Sequence, residues 1–110
     1  MGQFVRGEVV VIPFPFSDLS ATKRRPALVI ADLPGDDVIL CQITSQPARN
    51  AYAVSLNDPD FATGSLNRPS TIRAEQIFTA DSHIIVRSVG KVTDAKLQAV
   101  LTIITKLIAP

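Results

Sequence analysis

The sequence predicts a mainly β fold: a small antiparallel barrel of five or six short strands, followed by one C-terminal helix. Two observations carry this. Short apolar runs rich in valine and isoleucine recur between clusters of Pro, Gly, Asn and Asp as far as Gly90, the pattern of a small closed barrel. Beyond Gly90 the apolar residues fall at helical spacing.

Residues 8–12 form the first strand, which Pro13 and Pro15 are expected to end, because neither can donate to a ladder. Residues 17–25 read as a polar loop of small residues. Residues 27–31 are a continuous apolar run, consistent with a strand buried on both faces. Pro34, Gly35, Asp36 and Asp37 supply turn chemistry, and residues 38–43 return as the partner strand of a hairpin. Thr44-Ser45-Gln46-Pro47 breaks the apolar pattern. Tyr52, Val54 and Leu56 then alternate with Ala51, Ala53 and Ser55 as a half-buried strand. Residues 57–69 read as a long surface loop, residues 70–78 as β-compatible, and residues 84–89 as a strand ending at Gly90.

Thr93 is the expected helix N-cap, with Asp94 in the first turn at the positive end of the dipole. Leu97, Val100, Leu101, Ile104 and Ile108 follow on one face, while Lys96, Gln98, Thr102 and Lys106 face away. Ile103 and Leu107 widen the apolar stripe beyond one core contact. A soluble chain avoids exposing such a stripe, so a homodimer is expected.

Composition sets limits on function. With 110 residues, 46% hydrophobic and 19% charged, the chain is one globular domain able to bury a core without staples. A net charge of +1 argues against a bulk polyanion binder, so anion binding must come from local clusters. The single cysteine, Cys41, sits in an apolar run as a small buried hydrophobe and excludes a disulfide within the chain. One cysteine and one histidine, His83, do not make a zinc site, and two-histidine ribonuclease chemistry is excluded by count. There is no Gly-rich phosphate loop and no serine in a nucleophile-elbow context. Residues 1–7 lack the apolar run of a signal peptide, and no stretch approaches a membrane span. The expectation is a cytoplasmic protein with no membrane partner and no cofactor.

Three stretches can carry chemistry. In the run from Lys23 to Ile30, the cations Lys23, Arg24 and Arg25 lead into a buried strand through Pro26, which pushes Arg25 into extended backbone. A guanidinium fixed there can grip a phosphate bidentately; it can equally be part of a solvated charge run. On a strand, Arg73 and Glu75 share one face, with Ile72 and Ala74 on the other. They read either as an ion pair worth under about 1 kcal/mol or as a general base beside a phosphate clamp. Thr44 and Ser45 can donate to a phosphate oxygen, or simply open a turn.

Four segments in order and spacing resemble the PemK/MazF family, the toxin halves of type II toxin–antitoxin pairs. They are Gly7-Glu8-Val9-Val10, Arg25-Pro26-Ala27-Leu28-Val29-Ile30, Ile43-Thr44-Ser45-Gln46 and Ile72-Arg73-Ala74-Glu75-Gln76-Ile77. The resemblance covers nearly the whole chain, including Gly90. It implies an SH3-like barrel with a C-terminal helix. It also implies a homodimer that cuts single-stranded RNA without metal, a cognate antitoxin, and DNA binding by the antitoxin complex. The family's catalytic positions fall on Arg25, Thr44, Arg73 and Glu75. RNA contacts are expected from Lys23, Arg24, Ser45, Gln46, Arg49, Arg68 and Gln76. The loop Ser17-Asp18-Leu19-Ser20-Ala21-Thr22 departs from the family in having neither histidine nor glutamate, which moves the base role to Glu75.

Two other readings share the fold. A gyrase poison of the CcdB type has the same barrel and no nuclease activity, but has no need of the Arg25, Thr44, Arg73, Glu75 set. An inactive domain kept for antitoxin or RNA binding would retain the barrel alone.

Overall fold

The computed structural model describes residues 4–14, 23–47 and 50–110. Among them, seven strands form one antiparallel sheet: β1 (Glu8–Phe14), β2 (Lys23–Asp32), β3 (Asp37–Thr44), β4 (Ala53–Leu56), β5 (Phe61–Gly64), β6 (Ser70–Asp81) and β7 (Arg87–Val92). One helix, α1 (Asp94–Ile108), ends the chain. The strand order is β4-β6-β3-β2-β1-β7-β5. The two edge strands, β4 and β5, are joined directly by a turn of 3-10 helix, Asp58–Asp60. The sheet is therefore a half-barrel whose ladder stays open, where the sequence had suggested a closed one. The missing closure is made by side chains, with Val54 and Leu56 of β4 and Leu97, Val100 and Ile104 of α1 in one core.

The β2–β3 hairpin forms as expected, turning at Gly35 with φ +85, a conformation that favours glycine. Its residues alternate between two cores. Leu28 and Ile30 face the cluster under the helix, whereas Ala27 and Val29 join Val10, Ile12, Val38 and Leu40 on the opposite face. The apolar run is thus continuous because both faces of this part of the sheet are covered. Thr93 caps α1 by accepting from the Lys96 backbone N–H at 3.2 Å.

Several expectations need correction. β1 runs through Pro13 to Phe14, with Pro13 opposite Arg24. This is tolerated because β7 pairs β1 only as far as Val11, leaving no ladder on that side for Pro13 to interrupt. The segment from Lys23 to Arg25 is the start of β2, not loop. Residues 57–69 contain the 3-10 turn and β5. The last strand is shifted to Arg87–Val92 and includes Gly90, after a 3-10 turn at Ser82–Ile84. Gly64 and Gly90 are cross-strand partners. A Cβ on Gly90 would run into the Thr63 carbonyl, so this pair lets the β5 and β7 backbones close up. Lys96 does not face away; its ammonium lies 3.4 Å from Asp60 and ties the helix to the turn between the edge strands. Ile108 lies outside the core, 71% exposed. No helix among the described residues is long and apolar enough to cross a membrane.

Candidate active site

The site opens where β2 and β3 part. Pro26 has no N–H to give to β3, and the β2–β3 ladder ends one residue later at Ala27–Gln42. β2 remains paired with β1 out to Lys23, so its backbone stays extended while β3 turns away. The divergence leaves a cleft of about 510 Å³. Lys23, Arg24 and Arg25 line one wall, Thr44, Ser45 and Gln46 the other, and Leu66, Asn67 and Arg68 close the end. Among the described residues, its lining carries four cations, Lys23, Arg24, Arg25 and Arg68, and no carboxylate. Among the described residues, none of those four is in an ion pair.

Thr44 is buried and its Oγ1 accepts from the Gln46 backbone N–H at 3.1 Å. The hydroxyl therefore does both things its position allows: it fixes the turn as an acceptor and keeps its own hydrogen to donate. Arg25 is half-buried, and its Nε is fully shielded without a hydrogen-bond partner.

Arg73 and Glu75 lie on β6 beside the cleft rather than in its lining. Thr44 pairs with Thr71 and Ile43 with Ile72, so Arg73 follows two positions after the partner of Thr44. β6 then bulges, advancing from Ile72 to Ile77 while β3 goes only from Ile43 to Cys41. This surplus re-aims the side chains at the corner, as bulges do beside active sites. Ile72 and Ala74 point into the core as expected. Arg73 Nη2 donates to Glu75 Oε2 at 3.1 Å, and Asn50 Nδ2 donates to the same oxygen at 3.4 Å. Glu75 Oε1 and Arg73 Nε are shielded from water with no partner. Arg25 and Arg73 lie on β2 and β6, the two neighbours of β3, which carries Thr44 between them.

Gln76 is exposed on β6 and does not line the cleft. Arg49 and the loop of residues 17–22 lie outside the described residues. The sequence reading missed Asn50, whose carbonyl also accepts from the Tyr52 N–H at 2.9 Å and whose role looks like ordinary turn chemistry. Leu66 and Asn67, which line the cleft, sit in a stretch rich in loop residues and carry no signal in the sequence. Cys41 is fully buried, and burial, with the Glu75 charge adding to it, pushes its thiol up to about 12. It is inert at neutral pH. Among the described residues, no three His, Cys, Asp or Glu side chains gather as a metal-ligand set.

Fold and site together define a small β half-barrel protein with a cation-lined cleft. The profile of the PemK-like, MazF-like toxins of type II toxin–antitoxin systems matches residues 5–108. The chain belongs to that family. No curated protein sequence matches it. Among solved structures, it is similar to an endoribonuclease from a mycobacterial species in complex with its cognate antitoxin, at 20% identity over 97% of each chain and a TM-score of 0.76. It is also similar to the Mycobacterium tuberculosis toxin MazF-mt6, at 18% identity over 92% of this chain and 95% of that one, TM-score 0.73. A chain of a MazE–MazF crystal structure from Deinococcus radiodurans is similar with a TM-score of 0.71 at 18% identity, over 94% of this chain and 93% of that one.

Proposed function

We propose that the chain is a metal-independent, sequence-specific endoribonuclease toxin that cleaves single-stranded RNA. The observation that carries the reading is the set of shielded, unpartnered polar atoms at the corner of β6 and the mouth of β2: Glu75 Oε1, Arg73 Nε and Arg25 Nε. Buried polar groups are rarely left unbonded, and an acceptor on Glu75 together with donors on Arg73 and Arg25 suits a ligand that brings both a proton and an anion. The 2′-OH next to a phosphate is such a ligand.

In the proposed reaction Glu75 Oε1 takes the 2′-OH proton. The 2′-oxygen bonds to phosphorus, and Arg73 and Arg25 stabilise the charge on the crowded phosphorane. Thr44 donates to a phosphate oxygen and fixes its orientation. The P–O5′ bond then breaks. Arg25 assists the leaving oxygen as a hydrogen-bond donor only, because its pKa lies above about 12; solvent supplies the proton. The products are a 2′,3′-cyclic phosphate and a 5′-hydroxyl. Analysis of the ends left on an RNA cut by the purified protein tests the scheme, and 3′-hydroxyl with 5′-phosphate ends would overturn it.

The toxin would be neutralised by a cognate antitoxin and act as a homodimer. Ile77, Ile84, Val86 and Ile108 are exposed apolar side chains that a second copy could cover. Sedimentation at micromolar concentration showing only an 11.8 kDa species would contradict the dimer.

A further inference from the structure

Beside the cleft lies a second hollow of about 430 Å³, which the scheme above does not use. It shares Arg24, Arg25, Leu66 and Asn67 with the cleft, so the two form one continuous groove. What it adds is Arg87 at the start of β7, with Val11 and Val89 as an apolar floor. Val11 is the register partner of both Pro26 on β2 and Arg87 on β7. Arg87 therefore stands two ladder steps from the Arg25–Pro26 corner, roughly 10 Å away. Among the described residues no carboxylate lines the hollow, and neither Arg24 nor Arg87 has an ion-pair partner. Three guanidinium groups near one another raise the local positive potential, which attracts an anion. A volume above about 300 Å³ is in the range of sites that enclose a small ligand. Apolar wall on one side and guanidinium on the other match the two halves of a nucleotide.

We propose that this hollow is a subsite for the nucleotide neighbouring the scissile one. Arg87 and Arg24 hold its phosphate, and its base lies against Leu66 and Val89 with the Asn67 amide at its edge. The proposal rests on the ribonuclease reading and extends it: the strand runs from the β6 corner over Arg25 to β7, and Arg87 contributes binding without touching the reacting atoms.

The test measures kcat and KM on a series of single-stranded oligoribonucleotides extended one residue at a time on either side of the cut, with wild type, Arg87→Ala and Arg87→Gln. Wild type should gain in kcat/KM when the strand reaches the subsite, and both variants should lose about tenfold of that gain through KM, with kcat held. The slope of log affinity against log salt should fall by about 0.7, the value for one phosphate contact on a single strand. If Arg87→Ala does not fold, Arg87→Gln, which keeps most of the stem, decides the matter. Wild type that cuts no RNA would sink the ribonuclease reading itself. Wild type that cuts, with variants showing the same gain and the same salt slope, would overturn only the subsite. A variant that instead changes the sedimenting species would also overturn it, placing the hollow between two copies.

Discussion

The Arg73 guanidinium and the Glu75 carboxylate meet at 3.1 Å through a single oxygen, Oε2, leaving Oε1 shielded and unbonded. Asn50 adds its amide to the same Oε2. A bidentate fork would engage both oxygens of the carboxylate. This arrangement instead clamps one oxygen and leaves the other as a fixed acceptor.

Glu75→Gln keeps the shape, with the amide oxygen accepting from Arg73 and Asn50, but removes the basicity. Expected is a fall in kcat of about 10²–10⁴, the usual worth of a positioned base, with KM nearly unchanged. Thermal stability should move little, because the lost pair is partly exposed, at 33% for Arg73 and 19% for Glu75. Single-turnover kinetics alongside a melting curve check both halves. Unaltered kcat would remove Glu75 from the chemistry.

Arg25→Ala should lose about 10²–10³ in kcat with the fold retained, since the residue sits where β2 leaves β3 and makes no hydrogen bond that the fold needs. Arg25→Lys should also be impaired, because an ammonium cannot present the planar fork. A fully active Arg25→Ala protein would end the ribonuclease assignment at this cleft.

The parts of this site that were legible in the sequence are those set by local periodicity. Arg73 and Glu75 share a face because side chains on a strand repeat every second residue, and Thr93 caps α1 because its hydroxyl is the right group at that offset. What was hidden depends on topology. A proline marks a strand end only where a neighbour needs its N–H. Pro13 and Pro26 both lie in strands, each just past the last pair to one neighbour, and Pro26 thereby opens the cleft. β5 is four residues long and owes its place to the contact of Gly64 with Gly90, which no local pattern reveals. Leu66, Asn67 and Arg87 meet Arg25 only because β1 and β7 bring the two ends of the chain together.

Cleavage should persist in excess EDTA, since the proposed reaction draws its nucleophile from the substrate and its charge stabilisation from Arg25 and Arg73. Retained cleavage after dialysis against chelator is the expected result. Complete loss that added metal reverses would point to different chemistry at Asp36, Asp37, Asp58 or Asp60. Asp58 is the first to examine, because it lines a 290 Å³ hollow together with Arg68 at the end of the cleft.

His83 should titrate above the usual 6.5. A hydrogen bond from its ring to Asp81 at 2.7 Å holds the proton, with the charges of Asp81 and Asp36 adding to it. Asp81 is held below its ordinary 3.8, mainly by the His83 backbone N–H and then by the ring. The raised histidine contributes stability that is complete below about pH 6.5 and lost as pH rises through the shifted value. The lowered aspartate contributes stability above about pH 3.8 that is lost as pH falls through its own shifted value. Both groups are exposed, so the effect on folding is small. An NMR titration of the His83 ring should show the raised value, and Asp81→Asn should return it toward 6.5. A ring that titrates normally in the wild type would show the pair is not formed in solution.

An antitoxin should cover the same cleft with an extended, acidic segment. Lys23, Arg24, Arg25 and Arg68 line it with no carboxylate among the described residues, so a surface that attracts RNA phosphates attracts a run of Asp and Glu equally. The mouth between the parted ends of β2 and β3 favours a narrow segment over a folded surface. A segment that orders on binding gives up part of its contact energy to lost entropy, so the charge contacts must carry much of the affinity. Neutralisation should therefore weaken as salt rises, with the two partners' affinity measured by calorimetry at several ionic strengths. Lys23→Glu with Arg24→Glu should reduce antitoxin affinity and RNA cleavage together, since both ligands need the same wall. If those reversals weakened RNA binding but left antitoxin affinity unchanged at low salt, the antitoxin docks elsewhere, and the exposed apolar residues Ile77, Ile84, Val86 and Ile108 become the surface to test.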